Sequence, residues 1–185
     1  MSLGYGINSR DSTKLIKLTD SCVLASAGMA ADASNLHKMM GARMQMFKHN
    51  HHKEMPTTAI AQMLSNTLYS RRFFPLYTFN IVGGLDAEGK GCVYGYDAIG
   101  SYERSNCIAS GTGQSLLQPL IDNQVDHHNQ TIIADGTLSK DGAVDLIKDA
   151  FTSAGERDIY TGDAVEIAVI TAAGVEMIRF DLKKD

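Results

Sequence analysis

His49, His51 and His52 stand close together, and His127 and His128 follow far along the chain. Imidazole nitrogens ligate zinc-class ions, so this group is the first candidate for chemistry. Zinc sites favour fixed helical spacing or paired cysteines, and a loop cluster without cysteine favours solvated side chains. No metal site is expected. Gly111-Thr112-Gly113-Gln114-Ser115 precedes a helical pattern, where backbone N–H groups can cradle a phosphate. The run lacks the third glycine of a dinucleotide loop and the Gly-Lys of a P-loop. No G-x-S-x-G elbow occurs, so serine-hydrolase chemistry has no support. Met39, Met40, Met44 and Met46 suit a core or a subunit contact better than a cofactor box. No cofactor is expected.

Cys22, Cys92 and Cys107 are an odd number set among apolar residues. Reduced structural thiols in a cytosolic or nuclear protein fit that usage. Asn129-Gln130-Thr131 matches the glycosylation pattern, but no secretory signal accompanies it.

These residues need elements to position them. Leu15, Ile16 and Leu18 open one strand, Val23 to Ala25 make a second, and Asp20-Ser21 is the turn between them. Leu36, Met40, Met44 and Phe47 then fall on one helical face, which Asn50 to His52 end. Thr57 is expected to cap a second helix carrying Ile60, Leu64 and Leu68. Arg71 and Arg72 suit its C-terminus, and Pro75 forbids continuation. Leu76 to Leu85 and Gly91 to Tyr96 form a hairpin around Asp86-Ala87-Glu88-Gly89.

Cys107 to Ser110 is read as a short strand. A helix with Leu116, Leu117, Leu120 and Ile121 follows, in which Pro119 must sit in the first turn or kink the helix. Residues 126–139 are polar and read as a loop. Ser139 caps a last helix, which Gly155 ends. Val165 to Thr171 and Val175 to Phe180 make a final hairpin, and the apolar run to Ile170 suits a strand covered on both faces. Strands and helices thus come in segregated blocks, a pattern of helices packed outside paired sheets and not of a parallel βαβ wind.

The chain has 185 residues, 44% hydrophobic and 21% charged, as in an ordinary globular domain. Its length suits a single domain spanning residues 1–185. A formal net charge of -4 argues against a nucleic-acid partner, which would need a basic face. No apolar run of membrane-spanning length occurs, so no membrane partner is expected.

The stretch Arg71 to Arg104, RRFFPLYTFNIVGGLDAEGKG running into CVYGYDAIGSYER, resembles the beta-type subunits of the eukaryotic proteasome core particle. Within that family it is most similar to the noncatalytic member at the sixth ring position. SRDSTKL, SAGMAAD, SGTGQS, LIDNQV and FTSAGERDIYTGD extend the resemblance along nearly the whole chain. Each motif alone is weak, and their order and spacing are specific. The resemblance implies an α+β fold: the four-layer α-β-β-α sandwich of the N-terminal-nucleophile hydrolases. It also implies a match that begins late, with an N-terminal strand pair of the family, roughly twenty residues, missing.

The family's site residues carry over position by position. Lys14 matches the lysine that lowers the pKa of the nucleophilic threonine's amine. Gly28 matches the glycine whose backbone N–H helps to hold the oxyanion. Thr112 stands where active members have a serine, and Asp158, Thr161 and Gly162 match their Asp, Ser and Gly near the nucleophile. Thr161 in place of serine and Asp163 in place of glycine are departures. The sequence opens MSLGYGINSR, with no N-terminal threonine. The resemblance therefore implies no catalytic residue in this chain and a vestigial site at Lys14, Gly28, Thr112, Asp158, Thr161 and Gly162.

The function implied is a noncatalytic structural subunit that supports the beta ring and walls the proteolytic chamber in ubiquitin-dependent degradation. Its expected partners are other alpha- and beta-type proteasome subunits in a heteroheptameric ring, in cytoplasm and nucleus. The alternative is a threonine-type endopeptidase subunit whose catalytic N-terminus is absent from this sequence. A bland third reading is a free-standing α+β domain binding a small molecule at the Gly111 turn.

Overall fold

Alternation of buried and half-buried residues along Thr78–Leu85 places Thr78, Asn80, Val82 and Gly84 on one face of a strand. That strand is the middle one of a five-stranded sheet. The computed structural model describes residues 1–130 and 138–184. The middle of the expected polar loop, and Thr131 of the Asn129 pattern, lie outside the described residues.

In chain order the elements are β1 (Ser2–Leu3), β2 (Gly6–Ile7), β3 (Leu15–Thr19), β4 (Cys22–Gly28), α1 (Ala30–His51), α2 (Thr57–Tyr69), β5 (Thr78–Leu85), β6 (Gly91–Tyr96), β7 (Tyr102–Ser105), α3 (Gln114–Val125), α4 (Lys140–Gly155), β8 (Ala164–Thr171) and β9 (Gly174–Asp181). They divide into two compact units. One holds Thr13–Ser105 and Ala168–Glu176; the other holds Met1–Ser12, Asn106–Ile167 and Met177–Asp185.

The first unit is a five-stranded antiparallel sheet in the order β3-β4-β5-β6-β7, with α1 and α2 on it. Leu36 and Met40, four apart, put one stripe of α1 into the core, and Ile60, Leu64 and Leu68 do the same for α2. Leu24, Val82, Tyr94 and Tyr96 receive them from the sheet. Tyr96 satisfies its buried hydroxyl by donating to the Ala61 carbonyl at 2.7 Å. The N-cap of α2 is Pro56, not Thr57. Thr57 is instead buried against β5, where a Cβ added to Gly84 would lie 2.6 Å from Thr57 Cγ2. Only glycine lets the helix start so close to the strand.

The second unit pairs α3 with α4 around Ala109, Leu117, Ala150 and Ala154. Ser139 caps α4 by accepting from the Gly142 N–H at 3.1 Å. Pro119 lies inside α3, beyond its first turn, and cannot donate to the carbonyl four residues back. No strand forms at Cys107 to Ser110; the strand falls earlier, at Tyr102–Ser105, because β6 pairs there through Val93↔Ser105 to Tyr96↔Tyr102. The β1–β2 hairpin, Ser2↔Ile7 and Leu3↔Gly6, has no counterpart in the sequence pattern. β8 and β9 form their own two-stranded sheet. Along β8 only Val165 and Ile167 are buried, so the strand alternates instead of being covered on both faces.

Candidate functional site

In the second unit, α4 ends at Gly155 and the chain turns back through Asp158. The Asp158 N–H bonds the Ala154 carbonyl at 2.8 Å, and the Thr161 N–H bonds the Asp158 carbonyl at 3.1 Å. That tight turn leaves the carboxylate facing three donors. Thr112 Oγ1 donates to Oδ2 at 2.7 Å, Thr161 Oγ1 donates to Oδ2 at 2.6 Å, and the Tyr160 N–H reaches Oδ1 at 3.1 Å. Burial raises the pKa of this acid, but the two hydroxyls and the amide outweigh it and hold the carboxyl below its ordinary value. A carboxylate so held is a weak base. Its chemistry is that of an anchor joining the Gly111 turn to the segment after α4.

The same carboxylate excludes a phosphate at the Gly111 turn. Gly113 is the N-cap of α3, with no side-chain cap, and a Cβ added there would lie 3.5 Å from Asp158 Oδ2. The positive end of the helix already faces a negative group. A phosphate there would meet like charge.

Asp163, which departs from the family glycine, has φ +66°. The position calls for a left-handed backbone, where glycine is unstrained and Asp is among the better-tolerated side chains. Arg10 Nη1 donates to Asp163 Oδ1 at 2.6 Å and fixes the departure in place. Gly162, the matched glycine beside it, has the Lys183 carbonyl 3.6 Å from its would-be Cβ. Thr112, Asp158 and Thr161 are thus brought into one hydrogen-bonded corner.

Lys14 and Gly28 belong to the other unit. Lys14 is exposed just ahead of β3, and its carbonyl accepts from the Ser26 N–H at 3.0 Å. Gly28 ends β4 at φ +110°, and a Cβ there would lie 2.4 Å from the Tyr77 carbonyl oxygen. Met29 N–H takes that carbonyl at 2.8 Å, while Asp32 Oδ2 accepts from Tyr77 N–H at 2.8 Å. Gly28 is therefore required by the backbone path between β4 and α1.

A buried polar network in this unit escaped the sequence reading. Ser26 Oγ donates to Asn80 Oδ1 at 2.8 Å, and His37 Nε2 lies 2.8 Å from the same Oγ. The serine has one proton, so His37 Nε2–H donates to it. Asn80 Nδ2 then donates to Thr78 Oγ1 at 3.0 Å. Burial holds the pKa of His37 below its ordinary value. This is no catalytic dyad, because the serine proton points away from the imidazole. No spacing rule could have found it: Ser26 and His37 sit on different elements.

His49, His51 and His52 are exposed at the end of α1, and His51 stacks on Phe47 at 4.2 Å. Among the described residues they gather no metal-ligating group. Cys107, Asp122 and Asp126 do.

Comparison with known proteins decides the family. Residues 1–170 match the model for proteasome subunits. The chain belongs to the proteasome subunit family. It is 51% identical to proteasome subunit beta type-1 of Oryza sativa subsp. japonica, over 100% of this chain and 86% of that protein. It is 49% identical to subunit beta type-1-B of Carassius auratus, over 100% of this chain and 78% of the relative. A probable subunit beta type-6 of Schizosaccharomyces pombe is 40% identical over 98% of this chain and 84% of its own length. The chain is a beta-type proteasome subunit, of mixed α and β structure.

Proposed function

We propose that this beta-type subunit is structural and noncatalytic. It helps to assemble a heteroheptameric beta ring and to wall the proteolytic chamber of the core particle, in ubiquitin-dependent degradation. The observation that carries this is similarity along the whole chain to proteins named beta type-1. The Asp158 corner goes with a structural role, since its carboxylate, held by two hydroxyls and an amide, anchors the Gly111 turn to the segment after α4. The four-layer α-β-β-α sandwich is the fold that suits this role. The layer of α1 and α2 on the five-stranded sheet is consistent with it. Work in cytoplasm and nucleus goes with the same reading.

In this reading Lys14, Gly28, Thr112, Asp158, Thr161 and Gly162 are vestigial positions of the family's site. An experimental structure of the assembled subunit tests that. Lys14 Nζ more than about 15 Å from Asp158, two Debye lengths at physiological salt, would separate the two charges and defeat it.

The role itself is tested by purification from native extracts, where the subunit is expected with alpha- and beta-type partners. Recovery as a free monomer overturns it. Incubation with fluorogenic peptides and a threonine-directed covalent inhibitor is expected to give no turnover and no adduct on this chain. An adduct would restore the endopeptidase reading.

A further inference from the structure

Asp122 and Asp126 are one helical turn apart at the C-terminal end of α3, so both carboxylates project from one face. Cys107, in the segment before the helix, lies between them. Its Sγ is 3.7 Å from Asp122 Oδ1 and 3.4 Å from Asp126 Oδ2. A chain reversal after the helix brings the exposed His128 beside Asp126, one of the three. The His128 N–H bonds the Asp122 carbonyl at 3.2 Å, Asn123 Nδ2 holds the His128 carbonyl at 2.9 Å, and His128 Nε2 lies 3.9 Å from Asp126 Oδ2. The adjoining His127 has its Nδ1 buried with no hydrogen-bond partner among the described residues.

Each carboxylate is also oriented from behind. Gln118 Nε2 donates to Asp122 Oδ1 at 2.7 Å while its Oε1 accepts from the Ala109 N–H at 2.7 Å. Asn106 Nδ2 donates to Asp126 Oδ1 at 2.8 Å. Such outer hydrogen bonds are what fix carboxylate ligands in metal sites. Electrostatics is otherwise adverse. Two carboxylates and a thiol crowd the negative end of a helix whose last turn carries no basic residue.

We propose that Cys107, Asp122 and Asp126, with an imidazole of the His127–His128 pair, bind one divalent cation of the zinc class. The donor set of sulfur, nitrogen and two oxygens matches zinc and disfavours calcium or magnesium, which take oxygen alone. The thiol and carboxylate ligand atoms lie within 4.8 Å of one another. Zinc bonds of about 2.0–2.3 Å set tetrahedral ligand atoms about 3.5 Å apart, so small rotations of Cys107, Asp122 and Asp126 bring these three to bonding distance, and the imidazole swings in as the fourth ligand. Binding replaces the thiol proton: Cys107–SH and the cation give the thiolate complex, and one proton passes to solvent. The bound ion would clamp the segment before α3 to the end of that helix. This inference stands on the second unit alone and does not depend on the proteasome role.

The test is titration of the metal-stripped full chain with Zn2+ by calorimetry and with Co2+ by absorption. One equivalent is expected, with a thiolate-to-cobalt charge-transfer band. Cys107→Ser should remove the band and weaken zinc binding at least about a hundredfold, and Asp126→Asn about tenfold or more. His127→Gln and His128→Gln identify the imidazole. A variant carrying His49→Gln, His51→Gln and His52→Gln should bind as before. Absence of a saturable equivalent or of the band in the unaltered chain overturns the proposal. So does binding that survives in folded Cys107→Ser, or that is lost in the triple histidine variant. Should Cys107→Ser not fold, Asp126→Asn and the cobalt spectrum of the unaltered chain decide.

Discussion

Leu24, Leu36, Met40, Ile60, Leu64 and Leu68 are fully buried between the five-stranded sheet and its two helices, whereas α3 and α4, among the described residues, bury the smaller set Ala109, Leu117, Ala150 and Ala154, with Leu120, Ile121 and Phe151 half-buried against it. The first unit is held by large apolar side chains. The second has a thinner core, three alanines and Leu117 flanked by half-buried Leu120, Ile121 and Phe151, together with polar knots at Asp158, Asp163 and Ser139. Apolar burial is non-directional and its contribution scales with area, while a hydrogen-bonded corner depends on the geometry of a few atoms. Both units leave large apolar side chains exposed, Phe73 and Phe74 in the first and Ile159, Tyr160 and Met177 in the second. Apolar surface of that kind suits a subunit completed by its neighbours.

The difference can be broken most forcefully at Leu64. Leu64→Ala leaves a cavity in the larger core and should cost about 3–5 kcal/mol, against about 2 kcal/mol for Leu117→Ala in the thinner one. Hydrogen exchange measured separately on α2 and α3 checks this; equal losses would abolish the contrast. Gly28→Ala should cost about 2–4 kcal/mol, because the added Cβ meets the Tyr77 carbonyl and φ is positive. Chemical denaturation reads it, and a neutral result would mean that the β4–α1 path relaxes easily.

Asp158→Ala should cost about 2 kcal/mol by removing a charged acceptor from two hydroxyls and an amide. Its sign with pH follows from the lowered pKa. The stabilisation is present above the unfolded carboxyl value of about 3.9 and is lost as pH falls through the lower folded value. Acid titration of stability should therefore be shallower in Asp158→Ala than in the unaltered chain; identical curves would remove Asp158 from the account. Smallest is Ser139→Ala, at about 1 kcal/mol for the lost cap, seen as faster exchange in the first turn of α4. An unchanged rate there would show that the cap contributes nothing.

Much of the framework was legible in the residues. The four-residue steps of Leu36, Met40 and Ile60, Leu64, Leu68, the Asp86–Gly89 turn and the Ser139 cap are local signals, and local physics fixes their outcome. Family motifs pointed to Thr112, Asp158 and Thr161. Tertiary structure decided the rest. Thr57 became a packing residue because Gly84 lies beneath it, and the strand expected at Cys107 moved to Tyr102–Ser105 because pairing with β6 selects the register. The convergence of two hydroxyls on one carboxylate, the Ser26–His37–Asn80 network and the meeting of Cys107 with Asp122 and Asp126 join segments distant in sequence. Periodicity describes which face of an element is buried. It carries no information about which other element that face will meet.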